Sequence, residues 1–124
     1  MVRVIEMDIL SIIHDLNYHM PQLTLFIQQL NDVVNTTGIA VLSDAAGNME
    51  IDYPSNMSHA TASKISERVG VIDRLINTKG QLINDLLQRG ISIENNLKAQ
   101  NPEYVSGLTE KILEFKRLNL SYKH

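Results

Sequence analysis

The sequence has no cysteine and no tryptophan. Without cysteine there is no disulfide framework, no thiolate nucleophile and no cysteine-ligated zinc, a composition that fits a reducing, cytoplasmic setting. Only two phenylalanines and four tyrosines are present, so the core must be built from aliphatic side chains. Long apolar runs are missing too: the longest, Ile39–Leu42, has four residues. Neither a transmembrane helix nor the apolar stretch of a signal peptide can be built from that, and an intracellular protein without membrane insertion is expected. Positive charge is also scarce, 11 Lys and Arg against 14 Asp and Glu. A net charge of −3 argues against general nucleic-acid binding, which neutralises phosphates with clustered cations.

What the chain does contain is heptad order. With 124 residues, 44% of them hydrophobic and 20% charged, it is long and apolar enough for a single folded domain, residues 1–124. In the first third, Val2, Ile9, Leu16, Leu23 and Leu30 recur every seven residues, as do Ile5, Ile12, His19, Phe26 and Val33. These are the a and d rows of a helical seam, and Ile13, Met20, Ile27 and Val34 add an e row. So wide a face suits a bundle better than a two-stranded coil. Pro21 falls on an outward position within an unbroken phase, which predicts one kinked helix over about residues 2–35.

The pattern then changes to alternation. Ile39 and Val41, then Met49, Ile51 and Tyr53, flank the turn-forming stretch Asp44–Asn48, in which Gly47 is free to take positive φ. A β-hairpin over about residues 38–53 is expected, ended by Pro54. A lone hairpin is marginal in water and needs the helices or another chain for cover. A second heptad run follows over about residues 61–99. Its rows are Val69, Ile76, Ile83, Gly90 and Leu97, and Ile65, Ile72, Lys79, Leu86 and Ile93. Leu75 and Leu82 at g, with Leu87 at e, widen this face. Asn101 suits an N-cap, Pro102 a first helical position and Glu103 the dipole, so a third helix is expected over about 102–121. It would carry Val105, Leu108, Ile112, Phe115 and Tyr122 on one side, with Asn119 as the polar gap.

Three glycines interrupt the second helix at intervals of ten, Gly70, Gly80 and Gly90. Successive ones step by roughly 80° around the axis, so they cannot form one close-contact ridge. Gly90 alone lies on the seam. It allows a large neighbouring side chain there, or a helix end with Arg89 in the last turn, or a ligand contact.

In an antiparallel pair of the two long helices, His19 and Lys79 are the middle members of their rows and fall at one level. They could form a polar layer that fixes register, or Lys79 could snorkel to the edge while His19 bonds water. Candidates for chemistry are few. Asp15 and His19 at i and i+4 have a spacing that could hold a metal, but two ligands are too few. Asp44, Asn48, Glu50 and Asp52 resemble a calcium loop in composition while lacking its order, and read as solvated turn residues. The tail cations Lys111, Lys116, Arg117, Lys123 and His124 are offset by Glu110 and Glu114, as on a solvated helix face. No nucleotide-binding glycine loop or serine-nucleophile motif is present, and no cofactor is expected.

The expected fold is therefore mainly α: an antiparallel, coiled-coil-like bundle of two long helices and a shorter C-terminal one, with a β-hairpin inserted between the first two. The expected function is non-enzymatic protein–protein interaction, as a small subunit or adaptor of a larger assembly, or as a chaperone-like binder of an amphipathic helix. The partner would be another protein or a second copy in a homo-oligomer. His19, Lys79, Leu75, Leu82, Leu87 and Gly90 are the candidate interaction residues. The alternative is a metal-binding or enzymatic bundle using Asp15 and His19.

Overall fold

The computed structural model describes residues 2–43, 45–46 and 48–122, with side chains described for 8–43, 45–46 and 48–119. The side chains of Val2, Ile5 and Tyr122, and the residues Asp44, Gly47, Lys123 and His124, lie outside the described ones. Five elements follow in order: α1 Val2–Thr37, β1 Ala40–Ser43, β2 Met49–Asp52, α2 His59–Gln100 and α3 Leu108–Tyr122. At a rise of 1.5 Å per residue the long helices span about 54 and 63 Å.

Helix α1 runs through Pro21, which lies on the exposed side. Thr24 Oγ1 donates to the Met20 carbonyl at 3.1 Å there. At the C-terminus, the Thr36 and Thr37 hydroxyls donate to the carbonyls of Asp32 and Val33 at 2.7 and 2.6 Å. Gly38 ends the helix with φ +75°, its N–H bonded to the Val34 carbonyl at 3.0 Å. A side chain there would be strained, which is why glycine occupies this αL cap. The helix thus extends two residues past the expected end at 35.

The hairpin pairs Val41 with Ile51 and Leu42 with Glu50. Val41 and Ile39 are buried, and Met49, Ile51 and Tyr53 pack against the core, so one hairpin face closes on the helices as its marginal stability requires. Leu42 and Glu50 occupy the outward face. Ser58 then caps α2, its Oγ accepting from the Thr61 N–H at 3.2 Å, and moves the helix start back to His59.

The two long helices pack antiparallel. His19 meets Lys79, and Ile12 meets Gly90, so a step toward the N-terminus on one helix is a step toward the C-terminus on the other. The rows are buried as their spacing dictates: Ile9, Leu16, Leu23 and Leu30 face Val69, Ile76, Ile83 and Leu97 across an aliphatic core. Phe26, Ile93 and Val34 are half-buried at its edges.

The C-terminal segment corrects two expectations. The third helix begins at Leu108, not near 102, and Asn101 is the C-cap of α2. Asn101 Oδ1 accepts from the Glu103 N–H at 3.3 Å, so the side chain does cap an amide, but the amide belongs to a turn. Ser106 takes the helix-capping role, its Oγ accepting from the Leu108 N–H at 3.3 Å. Val105, expected on the apolar side of the helix, is 85% exposed in the connecting loop. The later start has a packing reason: it delivers Leu108 into a buried site against Gly90 and Ile12. Ile112, Phe115 and Leu118 continue that contact along α3.

Candidate interaction surface

The middle of the α1–α2 seam is polar. Lys79 Nζ lies 3.1 Å from His19 Nδ1, both residues half-buried, and the Tyr18 ring meets the imidazole edge-on at 5.0 Å. An ammonium has only donors, so this bond requires Nδ1 to accept, and the imidazole proton then sits on Nε2. The two residues expected at one level of the seam are thus in direct contact. The contact also bears on Asp15 and His19, since a ring nitrogen facing an ammonium is poorly placed to receive a metal cation. Among the described residues no group of three His, Asp or Glu side chains comes together as a metal site.

The remaining candidates separate into two sets. Leu87 is 3% exposed and Gly90 is buried, so both are already covered by this chain. A Cβ built on Gly90 would lie 3.0 Å from Leu108 Cδ1 and 3.4 Å from Ile12 Cγ2. Glycine is there because a large neighbour fills its place, and α2 continues past it to Gln100 with no helix end at this point. Gly70 and Gly80, by contrast, face open space. Leu75 and Leu82 remain 42% and 40% exposed.

Val71 extends those two leucines. It is 44% exposed and precedes Leu75 by one helical turn, so Val71, Leu75 and Leu82 form an apolar stripe on the outer edge of α2. Thr78 sits between them, also exposed. Spacing of four, three and four residues carries this stripe, and the signal was available in the sequence for Val71 and Thr78 as much as for the leucines. Helix α1 has exposed apolar residues as well, Leu10, Tyr18 and Leu25. A shallow depression on α3 is lined by Glu110, Leu113, Glu114 and Arg117, a mixed-charge face.

One polar cluster had no sequence signal. Glu94 is the buried charged residue of α2, and its carboxylate accepts from the Ser106 hydroxyl while Lys98 Nζ lies 2.9 Å from its other oxygen. Burial pushes the Glu94 carboxyl up, but the Ser106 and Lys98 hydrogen bonds and the lysine charge together outweigh it and hold the group below its usual range. Asp73 goes the other way: burial raises it, and its bond from Asn77 only partly compensates. The Glu94–Ser106–Leu108 chain of contacts fastens the start of α3 to α2.

The chain matches no protein-family model, no curated protein and no solved structure.

Proposed function

We propose that the protein is a non-enzymatic protein–protein interaction module, a small helical subunit or adaptor whose α2 edge is covered by an amphipathic helix. A chaperone-like holder of one such helix uses the same surface. The observation that carries this reading is the stripe Val71, Leu75 and Leu82. It lies beside a core that the chain otherwise closes for itself with a hairpin at one end and α3 at the other. Solitary exposed leucines are ordinary on soluble proteins; a run at helical spacing along more than two turns is the kind of surface a partner helix covers.

The test is site-specific photocrosslinking in the cells that make the protein. A benzophenone side chain is introduced at Thr78, in the centre of the stripe, and separately at Asn84, which is exposed on another side of the same helix. The reading expects a discrete protein adduct from position 78 and none from position 84. Equal labelling from both positions, or no adduct from either, would sink it.

A further inference from the structure

The outer edge of α2 is itself a short heptad seam. Arg68, Val71, Leu75, Thr78, Leu82 and Asp85 recur at alternating intervals of three and four residues, and all six are exposed. Such spacing keeps side chains in line with a second helix crossing at a shallow angle. The seam is apolar in the middle and charged at its ends, with a cation at one end and an anion at the other. Among the described residues neither Arg68 nor Asp85 is engaged in an ion pair within the chain.

Resting on the interaction reading above, we infer that the occupant of this stripe is a second copy of the same chain, with the two α2 helices packed antiparallel about a two-fold axis near residues 76–77. The arrangement follows from the order of the side chains. Antiparallel pairing about that point sets Val71 against Leu82 of the second copy, Leu75 against Thr78, and Arg68 against Asp85. A two-fold axis repeats each layer, so the apolar centre has Arg68–Asp85 pairs at both ends. Parallel pairing would set Arg68 against Arg68 and Asp85 against Asp85, two like-charge layers. Charge order therefore selects the antiparallel form. The next layer outward would bring Lys64 toward Arg89 of the second copy, two cations, which sets the outer limit of the contact.

The test uses the purified full chain, with mass measured by light scattering after size exclusion over a range of concentrations. A dimer is expected for the native sequence. Leu75→Glu with Leu82→Glu should yield a monomer of unchanged helicity, because both positions are exposed and outside the core. Arg68→Asp alone and Asp85→Arg alone each turn two attractive pairs into repulsive ones, and each should weaken the dimer about tenfold. The double variant restores opposite charges across the two-fold axis and should return the dissociation constant to near the native value. A native chain that is monomeric at every concentration overturns the inference. So does a dimer indifferent to the leucine changes, or a double variant as weak as the singles. A monomer that still gives a Thr78 adduct with a different protein ends self-pairing and leaves the interaction reading standing. A monomer with no Thr78 adduct ends both.

Discussion

Three glycines in one helix have two kinds of surroundings, and their substitutions separate accordingly. Gly70 and Gly80 have no atom within 4 Å of the place a Cβ would take, whereas Gly90 has Leu108 at 3.0 Å. Alanine in an open helical position gains roughly 0.5–1 kcal/mol over glycine by restricting the unfolded chain. Gly70→Ala and Gly80→Ala should each raise urea-unfolding stability by about that amount. Gly90→Ala should give none of the gain, because Leu108 is buried and has to shift, and Gly90→Val should destabilise outright. A uniform gain at all three sites would contradict the packing described for Gly90.

Glu94 gives the residue scale a pH dependence. Its carboxyl is held below its usual value in the folded chain, so the folded state binds its proton less readily than the unfolded state does. The contribution to stability is complete above the ordinary glutamate value of about 4.3 and is lost as pH falls below it through the depressed folded value. Glu94→Gln should flatten the acid limb of a plot of unfolding free energy against pH, while changing little of its shape above neutrality. An acid limb identical to that of the native chain would show that Glu94 carries none of it.

At the scale of elements, α3 docks on the long pair through a small set of named contacts. It is tied through Leu108 in its buried site, through Ser106 to Glu94, and through a half-buried row behind them. Leu108→Ala removes a fully buried side chain and should cost about 2–5 kcal/mol of whatever stability includes α3 docking. In hydrogen exchange, Ser106→Ala should raise exchange across residues 108–119 and leave the paired parts of α1 and α2 protected. Simultaneous loss of protection in all three helices would instead mean that α3 and the helical pair unfold as one unit.

The same elements show where sequence reasoning reaches and where it stops. Both long helices, their buried rows and the hairpin with its inward Val41 and Ile51 follow from spacing alone, since each period of burial leaves a matching period of apolar residues. The start of α3 does not. Asn101-Pro102-Glu103 is a good local N-cap signal, and it loses to Ser106 because a contact twelve residues back, with Glu94, fixes that hydroxyl. Glu94 lies one heptad after Leu87, on the same row, but a charged side chain at that place gives no apolar signal of its burial. Among the candidate surface residues, Leu75 and Leu82 were legible as the widened edge, and Leu87 looked equivalent to them. What separates them is the side of the seam on which the rest of the chain lies, a property of three-dimensional packing.

For the whole molecule, the informative feature is the polar pair in the middle of an aliphatic seam. Leucine at both His19 and Lys79 would complete the d rows, and replacing a partly buried polar contact by apolar side chains of similar size is often neutral or stabilising. The role expected of the pair is a constraint on alignment. Sliding α1 by one heptad past α2 would keep leucine and isoleucine rows in contact, but it would set Lys79 against Ile12 or Phe26 and leave its ammonium in apolar surroundings. Only the observed alignment brings His19 Nδ1 to the ammonium. The chain with His19→Leu and Lys79→Leu should therefore be at least as stable as the native one. It should also populate more than one helical alignment, seen as a broadened urea transition, extra amide resonances and a mass distribution that differs from the native chain's. One set of resonances, a sharp transition and an unchanged mass would show that the aliphatic rows, the hairpin and α3 fix the alignment without help from the pair.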